Sequence, residues 1–196
     1  MEYAFHLYNQ AAVNGMVMAV ETLLQKRVEK LSHSQNVSIA PPVIVCVGSD
    51  LAIGDSLGPI TGSMLKYKTQ GTPAFIYGTL ASPVTAKEIK YVRAFLKDAH
   101  PCSPIIAIDA AVGSEGDIGL IKLLDSPLYP GAGANKKLGA IGDISVLGIV
   151  AEKSVANYGL LNNTRLNLVY GMSELISEAI ADYLRNMQPL RRFTAL

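Results

Sequence analysis

The spacing of apolar positions changes along the chain, and the change marks where a helix gives way to strands. Over residues 14–31 the apolar positions recur at steps of three and four, which predicts an amphipathic helix. A polar stretch and the pair Pro41-Pro42 follow, and neither favours continuation of the helix. We therefore expect a helical preface and linker over residues 1–40 and an α/β domain over residues 41–196.

From Val43 onward the pattern becomes a continuous, β-branched apolar run, which is typical of a strand buried on both faces. Strand-like and helix-like segments then alternate. This order predicts one α/β domain, three layers thick and doubly wound around a mainly parallel sheet. The predicted strands cover residues 43–47, 74–78, 105–109, 118–124 and 144–150, and the predicted helices of the domain cover residues 59–68, 82–96 and 175–184, the last capped near Ser173.

Composition supports a compact domain and narrows the classes of function. Of the 196 residues, 49% are hydrophobic and 17% are charged, so a disordered chain is not expected. The formal net charge of +1 gives no broad positive field, which argues against nucleic acid or an anionic membrane surface as a partner. The low charge content and the amphipathic N-terminal helix favour a homo-oligomer.

Cysteine use and the lack of a targeting pattern predict a cytoplasmic protein. Two cysteines do not make a disulfide framework, and Cys46 lies in an apolar run where a reduced thiol is expected. The apolar segment 16–24 contains Glu21 and has no basic lead-in, so it does not resemble a signal peptide. No apolar stretch is long enough to span a bilayer.

Two aspartates are predicted to lie at the same edge of the sheet. Asp55 comes in the loop after the first strand of the domain, just before a helix, and Asp109 ends the predicted strand 105–109. Ligands of parallel sheets bind beyond the carboxyl ends of the strands. A charge at the end of an apolar strand is costly to desolvate, which makes Asp109 the more informative of the two. The structural alternative for Asp109 is helix capping or loop hydrogen bonding. For Asp55 it is a first-turn acid favoured by the helix dipole.

Two carboxyl groups in one cleft are suited to general acid/base chemistry. Like charges close together cannot both ionise cheaply, so the two pKa values separate. One carboxylate can then activate a water molecule while the other carboxyl group donates a proton. Asp55, near backbone N–H groups at a helix start, is expected to ionise more readily, and Asp109 is expected to hold the shared proton.

Five further residues are candidates for substrate binding. Asp50 lies in the loop after the first strand of the domain, where a turn-stabilising role is the alternative, and Thr79 follows the second strand. Gly131 and Asn135 belong to a Gly-rich stretch that could form a lid, with a plain surface loop as the alternative. Asp143 precedes the last predicted strand and is more typical of a turn than of a third catalytic acid.

Other chemistries lack their motifs. The loop 48–54 matches neither the dinucleotide-binding nor the Walker phosphate pattern, and no G-x-S-x-G nucleophile elbow occurs. The histidines stand at positions 6, 33 and 100, without the spacing of metal ligands. The residues alone therefore predict neither a cofactor nor a metal site.

The segments around both aspartates resemble the YyaC-like sporulation proteins, a family related to the spore germination protease and, more distantly, to the hydrogenase maturation endopeptidases. The resemblance covers about residues 42–185. It is carried by an ordered set of segments, each weak when taken alone: residues 47–50 with 54–59, residues 106–110, residues 130–133 and residues 141–144.

This resemblance implies a phosphorylase/hydrolase-like α/β fold and a peptidase that cuts proteins with two acidic residues. Asp55 matches the acid of the D-x-L-G-P stretch, and Asp109 matches the acid that ends the strand in I-D-A. It also implies a role in sporulation, in the sporulating cell or the spore interior, with small acid-soluble spore proteins as substrates by analogy.

The chain departs from the maturation endopeptidases in its histidines. Those enzymes resemble one another in a histidine of the second half that helps to recognise nickel, whereas no histidine follows His100 here. Nickel dependence is therefore not expected, although a divalent metal bridging Asp55 and Asp109 stays an alternative. A non-catalytic protein that keeps the fold and holds a peptide or metabolite is the competing interpretation.

Overall fold

The computed structural model describes residues 1–35, 40–131, 138–153 and 164–187. Within these residues the chain forms six strands and four α-helices, with two short 3-10 turns at Ile53–Ser56 and Glu115–Asp117. In chain order the elements are β1 (Glu2–His6), α1 (Ala12–Gln35), β2 (Val43–Cys46), α2 (Leu57–Lys68), β3 (Phe75–Tyr77), α3 (Ile89–Ala99), β4 (Ile105–Gly113), β5 (Leu120–Leu124), β6 (Ile144–Glu152) and α4 (Leu166–Asn186).

All six strands belong to one mixed sheet with the order β1-β5-β6-β4-β2-β3. The four strands β3, β2, β4 and β6 are parallel to one another. β5 runs antiparallel to β6, and β1 runs antiparallel to β5. The prediction of one α/β domain around a mainly parallel sheet is confirmed.

Helices cover both faces of the sheet, but unequally. One face packs against α1, α2 and α4, and their apolar side chains form the larger core together with strand residues such as Ile44, Ile108 and Val146. The other face packs against α3 and the loops around Leu128 and Ile141, in a smaller core. Within the described residues no helix is long and apolar enough to cross a membrane.

The N-terminal segment contains a strand that the sequence pattern did not reveal. In β1, Tyr3 and Phe5 point to the larger core, and the strand pairs with β5 from Glu2 opposite Leu124 to His6 opposite Leu120. α1 buries Met16 and its apolar neighbours in the same core. The division of the chain at residue 40 stays a prediction, but the segment before it contributes an edge strand and a core helix to the domain.

Several predicted element ends differ from the structure, and tertiary contacts account for three of these differences. β4 continues to Gly113, because β6 runs alongside as far as Glu152 and satisfies its backbone. α4 begins at Leu166, and Ser173 lies buried inside it, donating a hydrogen bond to the carbonyl oxygen of Leu57 over 3.1 Å instead of capping the helix. α3 begins at Ile89, because residues 79–84 form a turn and an extended bridge to Val47.

Candidate functional site

Asp109 lies on β4, at the point where β4 loses one of its two neighbouring strands. The last residue that β4 pairs with β2 is Ile108, opposite Cys46, and the N–H of Val47 closes this pairing with a 2.7 Å hydrogen bond to the carbonyl oxygen of Ile108. On the opposite side, β4 stays paired with β6, and Asp109 faces Leu147. Asp109 therefore lies in mid-strand rather than at a strand end, but immediately beyond the carboxyl end of β2.

Burial gives Asp109 an unusual tendency to keep its proton. The residue is 9% exposed. Desolvation raises the pKa of its carboxyl group well above the ordinary value, and the negative charge of Asp55 raises this pKa further. One opposing contact is a 2.8 Å hydrogen bond from the N–H of Ala110 to Oδ1, which favours the charged form. A buried carboxyl group beside a second acid is the arrangement expected of a proton donor.

Asp55 is supplied by the 3-10 turn Ile53–Ser56, immediately before α2. Its side chain is half-buried. Its backbone is fixed at both ends, since its N–H donates to the carbonyl oxygen of Ala52 and its carbonyl oxygen accepts from the N–H of Ser49, each over 3.0 Å. Two backbone hydrogen bonds therefore fix the main chain of the loop at Asp55.

Two glycines let this loop approach the end of β2. Gly48 has a φ of +139°, and a β-carbon there would come within 2.1 Å of the carbonyl oxygen of Asp55. A β-carbon on Gly58 would come within 1.9 Å of the carbonyl oxygen of Val47. Because only glycine fits at both contacts, the start of α2 sits directly on the carboxyl end of β2, and Asp55 is brought toward Asp109.

Thr79 and Asp50 lie at this same edge of the sheet. Thr79 is buried just after β3 and exchanges backbone hydrogen bonds of 3.0 and 3.1 Å with Ser82. Asp50 is exposed in the turn after β2, next to Leu51, whose N–H donates to Oγ of Ser49 over 3.2 Å. Both residues therefore lie on the same edge of the sheet as the aspartate pair.

Asp143 is not brought to this edge. It directly precedes β6, and because β6 is parallel to β4 this places it at the amino end of the strands. Its Oδ2 accepts a 2.9 Å hydrogen bond from the N–H of Ile105, and its Oδ1 forms a 2.8 Å salt bridge with Arg27 of α1. These contacts give Asp143 a role in joining α1 to the ends of β4 and β6.

The predicted lid is described only at its beginning. Gly131 lies in a turn with a φ of +73°, a left-handed conformation that favours glycine. Asn135 lies outside the described residues, as does the rest of the stretch up to residue 137.

Two exposed apolar side chains at this edge were not expected from the sequence. Leu51 is 91% exposed and precedes the turn that carries Asp55, and Ile53, the first residue of that turn, is 39% exposed. A leucine or isoleucine in a loop gives no sequence signal of exposure, because most such residues are buried.

A cavity of about 390 Å³ lies at the carboxyl end of β6, against the first turn of α4. Neither Asp55 nor Asp109 is among the described residues that line it. No motif marked the polar residues of its wall in the sequence. Those polar residues are Glu152, Thr164, Arg165 and Asn167.

The donor set at the aspartate pair is small. Among the described residues, no group of three or more His, Cys, Asp or Glu side chains could hold a metal ion. Two carboxyl groups are fewer than the three protein ligands of a typical catalytic zinc site, so they fit a resident metal poorly. No step below is therefore routed through a metal ion.

Comparisons with known proteins identify the family. The family model described as "Protein of unknown function (DUF1256)" matches residues 11–179. The chain belongs to the DUF1256 family. This DUF1256 chain is 36% identical over 181 residues to the "Uncharacterized protein YyaC" of Bacillus subtilis (strain 168), covering 89% of this chain and 85% of that protein. The predicted resemblance to YyaC-like proteins is confirmed.

One solved structure is also similar to this DUF1256 chain. It is the NiFe hydrogenase maturation protease HycI from Thermococcus kodakarensis KOD1. The two chains are 18% identical with a TM-score of 0.48, and the match covers 75% of this chain and 94% of that one.

Proposed function

We propose that this DUF1256 protein is an endopeptidase that hydrolyses peptide bonds with Asp55 and Asp109. The observation that carries the proposal is the location of Asp109, buried beside Asp55 just beyond the carboxyl end of β2. In a parallel sheet this is the edge at which ligands bind. The effect of Asp55 on the pKa of Asp109 supports a pair that works in concert.

The two acids divide the chemistry according to their surroundings. Asp55, half-buried at the start of a helix, acts as the base that takes a proton from water as the water oxygen attacks the peptide carbonyl carbon. Asp109, whose pKa is raised, donates its proton to the developing tetrahedral species. When the C–N bond breaks, the proton held by Asp55 passes to the leaving nitrogen, and the carboxylate of Asp109 takes back a proton from a hydroxyl group of the tetrahedral species as the carbonyl group re-forms.

The substrate proposed is a protein of the sporulating cell, with small acid-soluble spore proteins as the first candidates. Support comes from the segments around Asp55 and Asp109, which resemble those of sporulation proteins. The proposed location is the cytoplasm of the sporulating cell or the spore interior.

The test is to incubate the purified protein with small acid-soluble spore proteins and to follow cleavage by intact-mass spectrometry. We expect cleavage by the wild type and a loss of at least about a hundredfold in rate for Asp55→Asn and for Asp109→Asn, the scale of a missing acid or base. Asp125→Asn is the matched control, since Asp125 is exposed beyond β5.

Two results would overturn the assignment. If the wild type cuts none of these proteins, the substrate class is wrong. If both aspartate variants cut as fast as the control, the acid pair is not the catalytic group. Binding without turnover, retained in both variants, would favour the non-catalytic interpretation.

A further inference from the structure

α3 is the least covered helix of the described structure. It packs on the face opposite α1, α2 and α4, and only Ile89 and Leu96 of its eleven residues are buried. Eight of its other nine residues are exposed, and Val92 is half-buried.

One flank of α3 carries three exposed cations and no acid. Lys90, Arg93 and Lys97 follow one another at steps of three and four, so they lie within an arc of about 60° and span about 10 Å along the axis. We call these three residues the cationic stripe. The two acids at this helix, Glu88 and Asp98, fall on other sides of it by the same geometry.

The cationic stripe has no acidic partner among the described residues. The salt bridges of the described residues involve four other cations. Arg27 pairs with Asp143, Lys122 pairs with Glu2, Lys68 pairs with Glu178, and Arg185 pairs with both Glu178 and Asp182. Glu88, the nearest acid in sequence, accepts hydrogen bonds from the backbone N–H and the hydroxyl of Thr85. Its carboxylate is therefore engaged away from the stripe.

Arg93 lies against a neighbouring loop. A β-carbon on Gly139 would come within 2.3 Å of Nη1 of Arg93, so the guanidinium group lies directly against the backbone of Gly139.

We propose that the cationic stripe binds an acidic segment of a partner protein, independently of the aspartate pair. Charge complementarity supports this choice, since three adjacent cations without partners create a local field of one sign. Nucleic acid is disfavoured because Tyr91 and Phe95, which could stack on bases, lie on a different flank, and Phe95 is engaged edge-on with Tyr77 at 5.5 Å.

The experiment measures binding of a short fluorescent peptide in which Glu alternates with Ala, by anisotropy at low salt. The stripe variant is Lys90→Gln/Arg93→Gln/Lys97→Gln. The matched control removes three other exposed cations that form no salt bridge in the described structure, as Lys66→Gln/Lys153→Gln/Arg165→Gln. Both variants carry the same net charge, so a difference between them reports position rather than total charge.

We expect the control to bind the peptide like the wild type, and the stripe variant to bind it about tenfold more weakly. Added salt should weaken the binding of the peptide to the wild type as well. The double variant Lys90→Gln/Lys97→Gln keeps the contact of Arg93 with Gly139, and we expect about a fivefold loss. Circular dichroism and thermal melting establish that each variant is folded.

Three results would overturn the proposal: no binding to the wild type, an equal loss in the stripe variant and the control, or tighter binding of an oligothymidylate of the same length.

Discussion

Gly58 at the start of α2 lies against the carbonyl oxygen of Val47, so closely that a β-carbon at position 58 would stand 1.9 Å from that oxygen. The contact joins the helix after Asp55 to the strand end next to Asp109. This contact has a consequence for the stability of the fold.

Gly58→Ala is therefore expected to destabilise the protein by about 1–3 kcal/mol, even though alanine favours a helix by up to about 1 kcal/mol. The backbone oxygen of Val47 cannot move aside as a flexible side chain could. Urea unfolding measures the change. Gly116→Ala is the control, since a β-carbon there meets nothing within 4 Å; equal stability of the two variants would contradict the argument.

Asp109→Asn is expected to remove a pH dependence of stability. The pKa of Asp109 is raised in the folded state above the ordinary 3.8, so the unfolded chain releases this proton first as the pH rises. Below pH 3.8 Asp109 is protonated in both states and does not lower the free energy of unfolding. Above pH 3.8 the free energy of unfolding falls by up to about 1.4 kcal/mol per pH unit, until the pH passes the pKa of Asp109 in the folded state. The Asn variant should thus be more stable than the wild type at neutral pH, with a gap that closes toward pH 4.

Urea unfolding at successive pH values measures this gap. Asp55→Asn is the companion variant: it removes the neighbouring negative charge but not the burial, so the fall in stability should end at a lower pH than in the wild type. A gap between Asp109→Asn and the wild type that is the same at every pH would show that Asp109 does not keep its proton.

Asp143→Ala is expected to cost about 1–3 kcal/mol, because it leaves the N–H of Ile105 without its acceptor and breaks the salt bridge to Arg27. Thermal melting or urea unfolding reports the loss. Asp98→Ala, at an exposed position of α3, is the comparison and should change stability by less than about 0.5 kcal/mol. Indistinguishable variants would leave Asp143 without the structural role described here.

Phe5→Ala tests whether the N-terminal segment is part of the domain. The Phe5 ring lies against Gly15 of α1, where a β-carbon would come within 2.4 Å of Cε1. Losing this half-buried ring should cost about 1.5–3 kcal/mol, and amide exchange should accelerate in β1 and β5. Tyr8→Ala, at a residue that is 78% exposed, should stay within about 0.5 kcal/mol of the wild type.

The sequence was sufficient to locate Asp55 and Asp109 because each follows a run of buried strand residues in a parallel sheet. The same rule, applied strictly, places Asp143 at the opposite edge, since it precedes a strand instead of following one. The extension of β4 past Asp109 could not be seen, because it depends on β6 continuing alongside. β1 escaped notice for a similar reason: its five residues carry little pattern, and its partner β5 is distant in the chain.

That distance also has a consequence for how the chain is made. Glu2 pairs with Leu124, so β1 can complete its hydrogen bonds only after more than a hundred further residues have been synthesised. Until then Tyr3 and Phe5 have no β5 to hold their strand on the sheet. Contacts between such distant parts of a chain slow folding. We expect the closing of β1 onto β5 to be a late event, after the parallel strands have assembled.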